Sequence, residues 1–206
     1  TTLLTYHLLK DAGYNVGLAG NVGHSMARQV AEQSFDWFVI EMSSFQLDGT
    51  KTFSPEIAIL LNITPDHLDR YEYTMQKYVD SKMRIIQSMK PSQYFIYYAE
   101  DAFIKEETSK RTVLPKQVRI TLKDEVSCDA YCRGTTMYFQ MNAPIVIDQQ
   151  NTTLNGPHNL INTMAAVSAA QYAGVSVASI ESSLKTFKNA PHRLESVAVI
   201  MGIEFV

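Results

Sequence analysis

Three apolar runs set apart by helical stretches constrain this chain more than any other feature. Residues 35–40 are apolar but for Asp36, and residues 57–63 and 93–98 repeat the pattern. A run apolar at nearly every position, rather than at every second one, belongs to a strand covered on both faces, as in a parallel sheet. The segments between carry helical periodicity. Within residues 73–89, Met75, Tyr78, Val79, Ile85, Ile86 and Met89 form one apolar stripe. Residues 2–9 (closed by Asp11-Ala12-Gly13), 25–33, 159–173 (stopped by Gly174) and 179–187 read as further helices. Residues 15–18 read as a short strand, and residues 193–206 as a closing strand pair. Strands alternating with helices predict an α/β fold with a mostly parallel, doubly wound sheet flanked by helices. Between 113 and 155 the texture shifts to short alternating runs punctuated by Gly134 and Asn142-Ala143-Pro144, which predicts a small antiparallel β lobe at the sheet edge.

Composition narrows the functional classes. With 18 basic and 21 acidic residues the formal charge is −3, without blocks of like charge, so neither nucleic acid nor an anionic membrane surface is the expected partner. No apolar run approaches the ~20 residues that span a bilayer. Cys128 and Cys132 cannot complete a tetrahedral metal site, and a chain of 206 residues needs no disulfide framework, so a reducing cytoplasmic setting is expected. Both ends read as cut points: Thr1 opens inside a helical pattern, and residues 203–206 are strand-like with no terminator. The sequence thus reads as one domain, residues 1–206, truncated at both ends.

In an open parallel sheet, ligands sit at the carboxyl ends of the strands. Two apolar runs end there in polar clusters: Glu41-Met42-Ser43-Ser44-Phe45-Gln46, and Thr64-Pro65-Asp66-His67-Leu68-Asp69-Arg70. Glu41 beside two hydroxyls suits a hard cation such as Mg²⁺, which needs only one or two protein oxygens; the competing reading is a solvated strand end. Asp66 and Asp69 fit a helix start, with Asp66 as cap, but that leaves His67 and Arg70 unexplained. Lys82 lies beside the apolar stripe of residues 73–89, where its stem can run along the core edge. Asn159 and Asn162 share a helix face and either read a planar donor–acceptor edge such as adenine or serve a helix start. Arg193, in Pro191-His192-Arg193, is either a phosphate clamp or a surface charge. No Gly-x-x-x-x-Gly-Lys-Ser/Thr, Gly-x-Gly-x-x-Gly or Gly-x-Ser-x-Gly motif occurs.

Taken in order, six segments make the chain resemble the central, P-loop NTPase-like domain of the Mur ligases, which build the peptide of bacterial peptidoglycan. They are Gly20-Asn21-Val22-Gly23, residues 41–47, residues 62–70, Ser81-Lys82, residues 156–162 and Pro191-His192-Arg193. Within the family, Ser43-Ser44-Phe45-Gln46-Leu47 is similar to the D-glutamate-adding members. Folylpolyglutamate synthases share the architecture and form the alternative; a non-catalytic nucleotide-fold module is a third reading.

The resemblance implies an ATP-dependent ligase, a monomer, acting on UDP-N-acetylmuramoyl-L-alanine and D-glutamate through an acyl phosphate and a tetrahedral intermediate. It implies two Mg²⁺ ions, with Glu41 holding one and His67 and a carbamylated Lys82 the other; His67 and Lys82 are the residues it sets nearest the chemistry. It further implies Asn159, Asn162 and Arg193 at the nucleotide and Asn21, Ser43 and Gln46 at the UDP-sugar substrate. The family's glycine-rich phosphate loop would lie immediately before Thr1, so this piece is expected to be inactive by itself and to bind ATP poorly.

Overall fold

The computed structural model describes residues 1–188, 198–200 and 203–205. Its elements are α1 (Thr2–Asp11), β1 (Val16–Gly20), α2 (Met26–Glu32), β2 (Trp37–Glu41), α3 (Ser44–Asp48), β3 (Ile57–Leu60), α4 (Met75–Met83), β4 (Tyr94–Tyr98), α5 (Ala102–Lys110), β5 (Lys116–Ile120), β6 (Ala130–Arg133), β7 (Thr136–Phe139), β8 (Ile145–Asp148), α6 (Pro157–Tyr172), α7 (Val177–Thr186), β9 (Ala198–Ile200) and β10 (Ile203–Phe205). Strands β3 to β8 form one six-stranded sheet in chain order, parallel from β3 to β6 and antiparallel from β6 to β8. Strands β1 and β2 form a separate parallel pair, and β9 and β10 an antiparallel one.

Side-chain alternation sends successive residues of the sheet into two cores. Ile57, Ile59, Ile96 and Val118 join the cluster under α1 and α6, with Leu4, Leu8, Met137 and Met164. Ala58, Leu60, Phe95 and Tyr97 join the opposite cluster, with Val79, Met83 and Ile104 of α4 and α5. The main helix, α6, enters through Gly156 at φ +89° with Pro157 in its first turn, and Gly174 at φ +92° follows its end. Residues 163–170 of α6 are all buried. Four of them are alanines, so the helix lies close to the sheet and to α1.

Several elements depart from the sequence pattern. The expected helix over residues 73–89 is α-helical only to Met83 and then tightens into a 3₁₀ turn, Arg84–Ile86. There Arg84 turns away to donate to the carbonyls of Leu47 (3.0 Å) and Thr50 (2.5 Å). Asp66 does not cap a helix: Leu68–Tyr71 is a 3₁₀ turn preceded by His67 in left-handed backbone, φ 49°. The short α3 and the α5 helix were not evident from periodicity; Asp101 caps α5 by accepting from the Ile104 N–H at 2.9 Å. Among the described residues no helix is long and apolar enough to cross a membrane.

Both cysteines are free and buried. Burial first, and Glu100 second, push the Cys132 thiol up to about 11, and burial raises Cys128 as well. The thiolate is the reactive form. Native protein at pH 8 is therefore expected to resist iodoacetamide while denatured protein takes two labels per chain, as counted by intact mass.

Candidate active site

The tips of β1 and β2 are joined at their backbones. Gly20 pairs with Glu41, and a Cβ on Gly20 would sit 2.0 Å from the Glu41 carbonyl oxygen, so only glycine permits this approach. The Asn21 N–H donates to the same carbonyl at 2.9 Å. Beyond Glu41, Ser43 and Gln46 form a reciprocal capping box: the Gln46 N–H donates to the Ser43 hydroxyl (3.3 Å) and the Ser43 N–H to the Gln46 side-chain carbonyl (2.8 Å). Their predicted polar atoms are thus engaged in starting α3.

A second set of contacts clamps α3, the loop after β3 and α4 together. Asp101 accepts from the Ile63 N–H at 3.0 Å and so fixes the exit of β3. Phe45 of α3 lies edge-on to His67 (5.3 Å), stacks with Tyr71 (6.2 Å) and carries the Arg70 guanidinium over its ring at 4.2 Å. The Tyr71 hydroxyl donates to Asp48 (2.9 Å) and meets the buried Ser81 hydroxyl (3.1 Å), which donates to the Ser44 carbonyl (3.0 Å). With Arg84 on the carbonyls of Leu47 and Thr50, α4 is held against α3. Lys82, next to Ser81, thereby borders the same cavity as Glu41.

Lys82 is half-buried, with its ammonium 5.4 Å from the Tyr78 ring. Burial lowers its pKa below the ordinary lysine value, against the opposing pull of Asp66 and Glu41. His67 is exposed, its Nε2 3.4 Å from Asp66 Oδ2. Among the described residues no three His, Cys, Asp or Glu side chains converge. Within electrostatic reach of the desolvated Lys82 amine are the carboxylates of Asp66, which lies beside the His67 imidazole, and of Glu41. That set fits Mg²⁺, which keeps most of its waters and takes few protein oxygens.

The same rim includes the start of α1 and one turn of α6. A cavity of about 560 Å³ is bordered by Thr1, Glu41, Asn62, Lys82 and Asn162. The Thr1 hydroxyl donates to Asn162 Oδ1, and Asn159 Nδ2 donates to the Asn155 carbonyl at 2.7 Å. The structure therefore gathers Glu41, Lys82 and Asn162 at one cavity, leaves His67 paired with Asp66 outside its lining, and leaves Asn159 one turn away on α6. Asn21, Ser43 and Gln46 flank Glu41, and Arg193 lies outside the described residues. Sequence reasoning missed Phe45, Tyr71, Ser81 and Arg84 as the residues that hold the site. The one legible sign was Ser81, a polar residue three positions from Tyr78 on an apolar-striped helix.

An open α/β sheet with a carboxylate and an Asp–His pair beyond its strand ends, and a desolvated lysine on a helix packed beside it, is the class defined by fold and site. The chain belongs to the Mur ligase family: the profile described as Mur ligase middle domain matches residues 1–170. It is 45% identical over 208 residues to the UDP-N-acetylmuramoylalanine–D-glutamate ligase of Cytophaga hutchinsonii, covering all of this chain and 46% of that protein. The chain spans about half the length of the curated relatives it matches. Among solved structures, the murein peptide ligase of Psychrobacter arcticus superposes with a TM-score of 0.68 at 20% identity, over 97% of this chain and 46% of that one. The MurF ligase of Thermotoga maritima in complex with ADP gives 0.65 at 18% identity, over 92% and 46%. At such identities the structural likeness carries the fold.

Ser81→Ala would remove the hydroxyl that ties the Ser44 carbonyl to α4 and one partner of Tyr71. A loss of about 1–3 kcal/mol is expected, measured as a lower urea midpoint with an unchanged slope.

Proposed function

We propose that this chain is the nucleotide-binding middle part of a longer ATP-dependent amide ligase that joins D-glutamate to UDP-N-acetylmuramoyl-L-alanine. The observation that carries the reading is Lys82 of α4, desolvated and within electrostatic reach of Asp66 and Glu41. Identity of 45% across the whole chain supports the D-glutamate-adding branch over folate polyglutamation or a non-catalytic module.

A lysine with a lowered pKa holds more of its neutral amine, the form that attacks carbon dioxide. The N–C bond forms, a proton leaves to solvent, and a carbamate replaces the ammonium. Lys82 would then present a carboxylate, and with Glu41 and His67 it would hold Mg²⁺, which would supply positive charge against the phosphate and acyl oxygens. On α6, Oδ1 of Asn159 and Nδ2 of Asn162 remain for a ligand, an acceptor and a donor that match the amino group and a ring nitrogen of adenine. Asn21, Ser43 and Gln46 border the UDP-sugar-peptide side, with Arg193 serving phosphate. The substrate carboxylate takes the γ-phosphoryl group of ATP with loss of ADP. The D-glutamate amine then adds to the acyl carbon, and the tetrahedral adduct expels phosphate to leave the amide.

The full-length gene is expected to restore growth to a bacterium depleted of its D-glutamate-adding ligase; failure with soluble protein present overturns the reading. In the full-length enzyme, Lys82→Ala and Glu41→Gln should each cut turnover by about a hundredfold or more. Incubation with ¹³C-bicarbonate should give a carbamate carbon resonance that Lys82→Arg removes. For the 206-residue chain alone, calorimetric titration with Mg-ATP is expected to show no micromolar binding.

A further inference from the structure

His67 sits in an uncommon backbone with little polar support. Among the described residues the non-glycine residues with positive φ are His67 (49°), Glu72 (53°) and Tyr73 (55°). They bracket the 3₁₀ turn Leu68–Tyr71. Left-handed backbone is disfavoured for a residue with a Cβ, and it persists only where the surroundings hold it. The imidazole's ion pair does not supply that hold. Asp66 is its neighbour in sequence, the distance is 3.4 Å, and the His67 and Asp66 side chains are 58% and 64% exposed. Exposed pairs of this kind contribute little.

The Phe45 ring supplies what the pair lacks. It meets His67 at 5.3 Å with the ring planes 62° apart, the edge-to-face arrangement that aromatic pairs favour. The Arg70 guanidinium lies 4.2 Å over the same ring. His67 and Arg70 are three positions apart on the 3₁₀ turn, where such side chains line up on one side. Their backbones are joined as well, the Arg70 N–H donating to the His67 carbonyl at 3.1 Å. Arg70 has acidic neighbours, but Asp66 pairs with His67 and Glu72 with Lys77. Among the described residues Arg70 forms no ion pair, and its guanidinium is committed to the ring.

The ring rests on a fixed support. Ser43 and Gln46 cap α3 around it, the Ser44 carbonyl accepts from Ser81, and the Leu47 carbonyl accepts from Arg84. Ser44 and Leu47 are buried, whereas Phe45 between them is half-buried. A side chain needed for packing alone would be drawn inward with those two. Phe45 instead stands at the rim against an imidazole and a guanidinium.

We propose that Phe45 and Arg70 are positioning residues for His67. The Phe45 ring sets the plane of the imidazole, and the Arg70 guanidinium keeps that ring in place. A metal-holding histidine is ordinarily oriented by a hydrogen bond to its other ring nitrogen; here ring contacts take over that task. The inference rests on the reading of His67 as a residue that holds Mg²⁺.

Two readouts test it. The first uses the 206-residue chain at fixed pH and needs neither metal nor activity. The ring ¹H–¹³C signals of His67, assigned by their loss in His67→Gln, are expected to be displaced by the Phe45 ring current and to return toward free-histidine positions in Phe45→Leu. Signals that do not move overturn the proposal. The second uses the full-length enzyme. Phe45→Leu is expected to raise the Mg²⁺ concentration for half-maximal rate by about ten- to a hundredfold, with the KM for the UDP-sugar substrate unchanged. Phe45→Tyr, which keeps the ring, should recover most of the loss. Arg70→Gln, a change at an exposed position, should raise the Mg²⁺ requirement roughly threefold and carries the test if Phe45→Leu does not fold. An unchanged Mg²⁺ requirement, or a loss that follows the urea midpoint alone, makes Phe45 a packing residue and overturns the proposal. A wild-type enzyme without ligase activity overturns the parent reading and this role with it, whereas an active wild type with insensitive variants overturns this proposal alone.

Discussion

The contact between α1 and α6 is what the rest of the structure depends on. No ladder among the described residues ties β1 and β2 to the six-stranded sheet, so the two sheets keep their relative place through the helices that cover them. Helix α1 lies on β1 and β2, α6 lies on β3, β4 and β5, and the two helices pack on each other. The alanines of α6 allow that close approach, and Leu4 and Leu8 of α1 pack in the same core. The Thr1–Asn162 hydrogen bond closes the same contact at the rim where Glu41 and Lys82 meet.

The candidate site follows from that frame by a chain of small constraints. Gly20 lets β1 approach the Glu41 carbonyl, the capping box starts α3 directly after Glu41, and Phe45, Tyr71, Ser81 and Arg84 bind α3 to the loop and to α4. The groups proposed for chemistry hold few structural bonds, whereas their neighbours hold many. Such a division lets Lys82 and His67 change partners while the backbone around them stays fixed.

Much of this was legible in the sequence because its signals are local. The apolar runs at β2, β3 and β4 declare strands covered on both faces, and the alanine run of α6 bounded by Gly156 and Gly174 declares a close-packed helix. The polar clusters after β2 and β3 declared the strand tips. Harder to see was whatever depends on residues far apart in the chain. The early end of α4 coincides with Arg84 reaching carbonyls 34 and 37 residues away, and the exit of β3 is set by Asp101, 38 residues from Ile63. Short helices such as α3 carry too few turns for a periodic pattern, and their capping residues are the only sequence trace.

The helix α2 presents no buried residue, and Met26 and Val30 stand exposed on it. Together with the half-buried β2, this makes the edge formed by β1, α2 and β2 the most thinly packed part of the first half of the chain. Cooperative opening starts where little apolar area must be re-exposed. The Gly20-Asn21 turn and Glu41 therefore ride on a unit able to unfold locally while the six-stranded sheet stays intact. Their geometry is set as much by what docks on that unit as by the core beneath it.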